Sequence, residues 1–276
     1  MSRPGLRFAK MSGAGNDFVV LGPQAIAELP DDVGAWVRGV CRRGLSVGAD
    51  GVLLVEPDGA GRIRVRFHNP DGSSAFCGNG SRCAARFARL EGLTGDTMKL
   101  VTSAGEVPAR VEEDRVRIEL PSPHDDGELS LDVGPETLRG HLIHAGTPHF
   151  VTSVENPAAA PLERWGPTVR HHPGFAPQGV NLDVVRIDGS RVELRTWEKG
   201  VERETLACGS GAVAAAFAAR SLGAGERVTV VPASAVELEV EFGEAHGVAL
   251  SGDARLIYEG CLDPEGLSYA GAFDDR

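Results

Sequence analysis

The sequence predicts an α+β fold made of two similar, pseudo-symmetric domains, and three observations carry that reading. Short strand-like segments outnumber helical ones along the whole chain. Each half holds one prominent Ala-rich helix among those strands, a mixture that favours α+β layering over alternating βαβ units. The two helices also open on the same motif. Cys77-Gly78-Asn79-Gly80-Ser81-Arg82-Cys83-Ala84-Ala85 aligns with Cys208-Gly209-Ser210-Gly211-Ala212-Val213-Ala214-Ala215-Ala216, sharing the Cys, both Gly and the last two Ala. Ala matches between Ala-rich helices carry little information, whereas the repeated Cys-Gly-x-Gly opening carries a great deal.

The elements follow in order. Leu6–Met11 reads as a strand, broken by Ser12-Gly13-Ala14-Gly15-Asn16-Asp17 and resumed at Phe18–Leu21. Pro30 to Arg43 has helical spacing, with Val33, Trp36, Val37 and Val40 on one face. Strands follow at Gly51–Val55 and Ile63–His68, the latter alternating apolar residues with Arg62, Arg64 and Arg66; Asn69-Pro70-Asp71-Gly72-Ser73 then signals a turn. After the helix at Cys77–Leu90 come strands at Met98–Ser103, Glu106–Glu112 and Arg115–Leu120. Pro121–Gly127 is the best linker candidate. The second half repeats the plan, with strands at Leu142–Ala145, Phe150–Val154, Val180–Ile187 and Arg191–Trp197, a helix at Cys208–Leu222, and strands at Arg227–Val231, Val236–Phe242 and Val248–Ser251. The expected domains are residues 1–121 joined by about 256–276, and residues 122–255. The tail Asp263–Arg276 carries no motif.

Composition bounds the function. At 276 residues, 42% of them hydrophobic and 24% charged, the chain is able to bury a sizeable core without metal or disulfide help. A formal net charge of -11 argues against nucleic acid and anionic membranes as partners. No apolar run approaches the ~18 residues of a membrane helix, and Met1–Gly5 lacks the apolar run of a secretory signal, so a cytosolic location is expected. Five scattered cysteines (Cys41, Cys77, Cys83, Cys208, Cys261) form no Cys-x-x-Cys pair, which argues against zinc and against a disulfide framework.

The repeated motif carries the chemistry. A helix N-terminus presents unpaired N–H groups and roughly +0.5 elementary charge, and two glycines let backbone approach a ligand closely. Such a turn can cradle a carboxylate. A cysteine there is expected to have its pKa lowered from ~8.5 toward neutrality, the range of a general acid or base. One activated cysteine suggests nucleophilic catalysis with a nearby His. Two equivalent ones suggest an active site in the cleft between the domains, with a thiol on either wall. Removing a proton from one face of a Cα and returning it to the other needs such a pair, with the helix ends holding the charge that develops on the carboxylate. Cys41, Cys83 and Cys261 read as inert.

At this point the sequence closely resembles the diaminopimelate epimerase family. The resemblance runs from Lys10 to about Gly260 and rests on seven ordered motifs: Lys10–Phe18, Asn69–Ser73, Cys77–Cys83, Gly146-Thr147-Pro148-His149, Gly179-Val180-Asn181, Trp197-Glu198-Lys199-Gly200 and Glu204–Gly211. It implies two mirror-like α+β domains, each a mixed sheet wrapped around a central helix. It implies cofactor-free interconversion of LL- and meso-diaminopimelate, no metal, and a homodimer. Cys77 and Cys208 match the catalytic thiols. Gly78, Asn79, Gly209 and Ser210 match positions holding the reacting α-carboxylate and α-amine. Asn16, Asn69, Asn181 and Glu198 match those contacting substrate, mostly its distal end, where Lys199 carries the cation for the distal carboxylate. His149 and Glu198 match groups that set the protonation of the cysteine pair. Read without the motif, Asn16 and Asn69 are turn residues and His149 a loop histidine.

Three departures bear on specificity more than on the reacting centre. Lys199 stands where the family pattern has Arg, which loses a bidentate fork but keeps the charge. Thr147 replaces an Asn, and Gly51 lies where some members carry Gln. Two alternatives therefore stand beside the main reading. One is a PLP-independent racemase of another amino acid such as histidine or proline. The other is a non-catalytic, redox-responsive binding protein in which Cys77 and Cys208 form a disulfide switch.

Overall fold

The structure is a computed structural model that describes residues 5–243 and 247–267. Most of the Met1–Gly5 start and the 268–276 part of the tail lie outside the described residues. In chain order the elements are β1 (Leu6–Gly13), β2 (Asn16–Leu21), α1 (Pro23–Ile26), α2 (Val33–Val40), β3 (Gly51–Pro57), β4 (Arg62–His68), β5 (Ser74–Ala75), α3 (Gly78–Leu90), β6 (Thr97–Thr102), β7 (Gly105–Glu112) and β8 (Arg115–Pro121). They continue with β9 (His124–Val133), β10 (Glu136–His144), β11 (Pro148–Ser153), α4 (Leu162–Arg170), β12 (Asn181–Asp188), β13 (Arg191–Glu198), β14 (Arg203–Thr205), α5 (Gly209–Ser221), β15 (Arg227–Val231), β16 (Leu238–Phe242), β17 (Gly247–Asp253) and β18 (Arg255–Leu262). The chain divides into two compact units, Met1–Ile118 with Asp253–Arg276, and Glu119–Gly252.

In the first unit the strands lie in the order β18-β1-β2-β3-β4-β6-β7-β8. Successive pairs are antiparallel, antiparallel, parallel, antiparallel, parallel, antiparallel and antiparallel, and β5 pairs with β4 as a short extra strand. In the second unit the order β9-β10-β11-β12-β13-β15-β16-β17 repeats that pattern pair for pair, with β14 as the extra strand on β13. Parallel neighbours need a crossover. Helices supply it at equivalent places: α1 and α2 between β2 and β3, α4 between β11 and β12, α3 between β4 and β6, and α5 between β13 and β15. The short repeat visible at the two cysteines is thus the most conspicuous part of a duplication that spans every strand.

Each sheet wraps its own central helix. The α3 helix packs on β1, β2, β3, β4, β6 and β7; α5 packs on the equivalent β10, β11, β12, β13, β15 and β16. A helix enclosed by a curved sheet must be narrow and apolar all round. The α5 helix complies fully, burying Ala212, Val213, Ala214, Ala215, Ala216 and Ala219; α3 complies along Gly80, Cys83, Ala84, Ala85 and Ala88 but also buries the polar Asn79, Ser81 and Arg82. Strand β3 is buried on both faces. Val52 and Leu54 join an outer cluster with Val19, Leu21, Trp36, Val37 and Val40, while Leu53 faces the first turn of α3. The second unit has the corresponding outer cluster, in which Leu162, Trp165 and Val169 of α4 cover Leu182 and Val184 of β12. Fully burying each such aliphatic side chain contributes about 1.5–3 kcal/mol.

Some elements differ from expectation. Pro121–Gly127, the expected linker, is strand apart from Ser122 and Pro123, and it lies just after the border of the two units at Ile118 and Glu119. Its charged, half-exposed residues belong to the β9–β10 hairpin, paired from Val133 opposite Glu136 to His124 opposite His144. Helix α2 is shorter than its periodicity, because the Asp32 carboxylate accepts from Ala35 N and caps it there. The α4 helix is obscured in the sequence by its own prolines, Pro161 at the N-cap and Pro167 inside.

Candidate active site

In the first unit the hairpin between β1 and β2 turns on Ala14 and Gly15, both with positive φ (54° and 96°). The Ala14 N–H is held by Asp253 Oδ1 at 2.7 Å. This turn sets Asn16 as the first residue of β2. Its Nδ2 donates to Asp50 Oδ2 at 3.0 Å, which directs Oδ1 the other way, toward Cys77 Sγ (3.7 Å) and Asn79 Nδ2 (3.4 Å). Asp50 is braced in turn by Arg43, which also bridges to Asp17; Lys10, buried, pairs with Asp17 at 2.6 Å. Burial alone would raise the Asp17 carboxyl, but hydrogen bonds from Arg43 and Lys10 outweigh it and hold it down at about 2.

Cys77 is the N-cap of α3, in extended conformation, and its Sγ accepts the Gly80 N–H at 3.3 Å. Asn79 offers Oδ1 to Arg82 Nη2 at 2.9 Å. Arg82 is completely buried, and burial pulls its pKa down. Its Nε reaches the Asp253 carbonyl at 3.4 Å, and its Nη1 is buried with no hydrogen-bond partner among the described residues. A guanidinium therefore stands behind the chain Asn79–Asn16–Cys77. Asn69 serves its own turn, donating from Nδ2 to Ser73 Oγ at 3.0 Å. Gly51 sits in β3 where an added Cβ would lie 2.4 Å from the Phe67 ring and 2.7 Å from the His68 carbonyl. In this chain that site is filled by Phe67.

The second unit builds its thiol site differently. Cys208 is the N-cap of α5 and its Sγ accepts the Gly211 N–H at 3.5 Å. Ser210 Oγ lies 3.4 Å from that sulfur and 3.0 Å from His149 Nε2. His149 is fully buried, and its Nδ1 meets Asp183 Oδ2 at 2.7 Å. Asp183 is also fully buried, and Thr196 Oγ1 donates to its Oδ1 at 2.7 Å. Sheet register brings these residues together, with His149 opposite Asn181 in the β11–β12 pair and Asp183 opposite Thr196 in the β12–β13 pair. Asn181 Oδ1 accepts the Lys199 N–H at 2.6 Å, which leaves Nδ2 to approach His149 Nε2 at 3.2 Å. Glu198, at the end of β13, accepts from Thr205 Oγ1 at 2.9 Å. Burial lowers the Lys199 pKa, and Arg170 nearby adds to the effect.

Cys208 corrects one expectation. Its thiol is pushed well above the ordinary thiol range, first by burial and then by the charges of Glu198 and Asp183. The Gly211 N–H lowers it, as does the Ser210 hydroxyl when it is turned to donate to the sulfur, but both are outweighed. The helix end alone does not activate this cysteine. The second glycine of each motif also has a packing reason independent of any ligand. A Cβ at Gly80 would lie 3.0 Å from Leu53, and one at Gly211 would lie 2.9 Å from Asp183 Oδ1 and 3.0 Å from Thr196 Oγ1.

Asp183, Thr196, Asp50 and the role of Arg82 emerge only from the structure. Asp183 has a signal in the sequence, since it lies two residues after Asn181 on a strand and so shares its face. Thr196 pairs with it across the ladder, which register alone reveals. All five cysteines are free thiols. Among the described residues, no group of three or more His, Cys, Asp or Glu side chains is placed to hold a metal ion, and no helix is long and apolar enough to cross a membrane.

Comparison with known proteins shows the family. The family model described as diaminopimelate epimerase matches residues 8–122 and 141–257. The diaminopimelate epimerase of Aquifex aeolicus is 37% identical over 96% of this chain and 100% of its own length. That of Methanothrix thermoacetophila is 39% identical over 82% and 85%. Among solved structures, a probable proline racemase from Agrobacterium radiobacter K84 superposes with a TM-score of 0.72 at 17% identity, covering 96% of this chain and 95% of that one. A predicted epimerase from Pseudomonas aeruginosa gives 0.69 at 18% identity, covering 93% and 98%. These structural likenesses speak for the fold alone.

Proposed function

Because the chain belongs to the diaminopimelate epimerase family, we propose that it interconverts LL- and meso-diaminopimelate by a two-thiol proton swap. The observation that carries the reading is the equivalence of Cys77 and Cys208. Each caps the central helix of its unit in extended conformation, with its sulfur on the N–H three residues on. One thiolate removes the Cα proton; the other thiol delivers a proton to the opposite face. The N–H groups at the starts of α3 and α5, around Gly78, Asn79, Gly209 and Ser210, hold the α-carboxylate as charge builds on it. Asn16, Asn69, Asn181, Glu198 and Lys199 recognise the rest of the substrate, with Lys199 serving the distal carboxylate as a point charge. Asn16 and His149 also touch the thiol machinery directly or through Ser210. A cytosolic location goes with the reading, since the reaction needs both thiols reduced, and the family resemblance carries a homodimer with it.

The test is a panel of amino acids, including diaminopimelate, histidine and proline, incubated with reduced protein in heavy water. Deuterium should enter the Cα of diaminopimelate, and Cys77→Ser and Cys208→Ser should each slow this by roughly 10²–10⁴-fold. If diaminopimelate stays unlabelled while another amino acid exchanges, the substrate reading falls. If either serine variant keeps full activity, the mechanism falls.

A further inference from the structure

We propose that Asp183 is a positioning residue for the reaction. Its carboxylate fixes the ring of His149 so that Nε2 takes up the Cys208 proton by way of Ser210. The proposal rests on the two-thiol reading above.

With Asp183 as a carboxylate, the direction of each hydrogen bond in the chain follows. A carboxylate only accepts, so at 2.7 Å from Asp183 Oδ2 the His149 Nδ1 must carry its hydrogen. Nε2 is then the lone-pair nitrogen. Two donors face it, Asn181 Nδ2 at 3.2 Å and Ser210 Oγ at 3.0 Å. The Asn181 amide has no freedom to turn, because its Oδ1 is engaged by the Lys199 N–H. With the Ser210 hydroxyl donating to Nε2, its oxygen is free to accept from Cys208 Sγ–H at 3.4 Å. The chain therefore runs Cys208 to Ser210 to His149 to Asp183, and Thr196 holds the far carboxylate oxygen.

Such a chain answers the difficulty that Cys208 presents. Buried, and with Glu198 and Asp183 as the charges acting on it, the thiol resists ionisation. Along the chain, the S–H bond of Cys208 breaks as its proton joins Ser210 Oγ, and the Ser210 O–H bond breaks as that proton joins His149 Nε2. The products are a thiolate and an imidazolium, the latter held on the Asp183 carboxylate, so charge is conserved. The reverse transfer restores the thiol after it has served as acid. The helix packs tightly on this assembly, with Asp183 and Thr196 filling the space a Gly211 side chain would take.

The experiment uses ¹⁵N-histidine-labelled protein, the His149 signals being assigned with a His149→Asn variant. Wild type should show a protonated Nδ1 and an unprotonated Nε2 at His149. Asp183→Asn offers a donor in place of an acceptor, so it should reverse or mix the tautomers. It should also lower kcat by 10²–10⁴-fold with KM within about threefold, as a wrong-tautomer histidine does in serine-protease triads. It should shift the pH midpoint of Cys208 alkylation, and Asp183→Glu should recover part of the rate. A wild-type His149 protonated on Nε2 overturns the proposal, as does an Asp183→Asn variant with unchanged tautomer or with kcat within threefold. If Asp183→Asn fails to fold, Thr196→Val together with the wild-type tautomer decides between the same two outcomes. Tautomer and alkylation need no substrate. If wild type left diaminopimelate unlabelled yet the tautomer responded to Asp183, only the substrate reading would fall.

Discussion

At the scale of single residues, the two thiols occupy equivalent backbone positions in unlike surroundings. Cys77 leans on an amide, Asn16, that is backed by Asn79 and the buried guanidinium of Arg82. Cys208 leans on Ser210 and His149, backed by the buried carboxylate of Asp183. Equivalence of motif therefore does not mean equivalence of chemistry. The shared geometry is the N-cap, and the differentiated part is what lies two side chains behind it. Gly211 shows how tightly that part is packed. A Gly211→Ala substitution should destabilise the protein by about 1–3 kcal/mol through overpacking, read as a lowered thermal midpoint, despite the better helix propensity of alanine. A gain in stability would show that Asp183 and Thr196 yield easily.

At the scale of elements, the β1–β2 hairpin depends on a cluster of charges. Lys10 on β1 and Asp17 on β2 are paired, and Arg43 and Asp50 extend the cluster to the support of Asn16. Asp17 is ordinarily near 3.8 and is held at about 2 in the folded protein. A carboxyl depressed by folding contributes stability that is fully present above its unfolded pKa and lost as pH falls through the folded one. Denaturant melts between pH 5 and pH 2 should therefore show stability falling below about pH 4, with a shallower fall in Asp17→Asn. Equal slopes for the two proteins would mean that the cluster contributes nothing. These elements also show what sequence can reveal. The hairpin is legible because Gly13-Ala14-Gly15-Asn16 is a strong turn signal between apolar runs, and α3 and α5 because each is an Ala-rich helix opening on the same Cys-Gly-x-Gly motif. The β9–β10 hairpin is not, since half-exposed strands rich in Asp, Glu and Gly carry little apolar periodicity. Nor is α4, with proline at its N-cap and inside it. In the site, the cysteines, Asn16, Asn181, Glu198 and His149 stand out by motif. Asp183 and Thr196 do not, because a buried pair made by cross-strand register is invisible until the register is known.

At the scale of the molecule, the fold is one plan used twice with different groups behind each thiol. Two units share a strand order, a pattern of parallel and antiparallel neighbours, a central helix and a capping cysteine, and they differ in the groups behind the sulfur. Such a design suits a reaction that is symmetric in outline, since each thiol must serve as acid in one direction and base in the other. The central claim is that two separate groups handle the proton. It is tested most directly by following LL-diaminopimelate in heavy water at low conversion. With two bases, the first meso product should carry one deuterium at the inverted Cα while the unreacted LL substrate carries none. Product that retains its original hydrogen, or substrate that exchanges as fast as product forms, would contradict the two-thiol account.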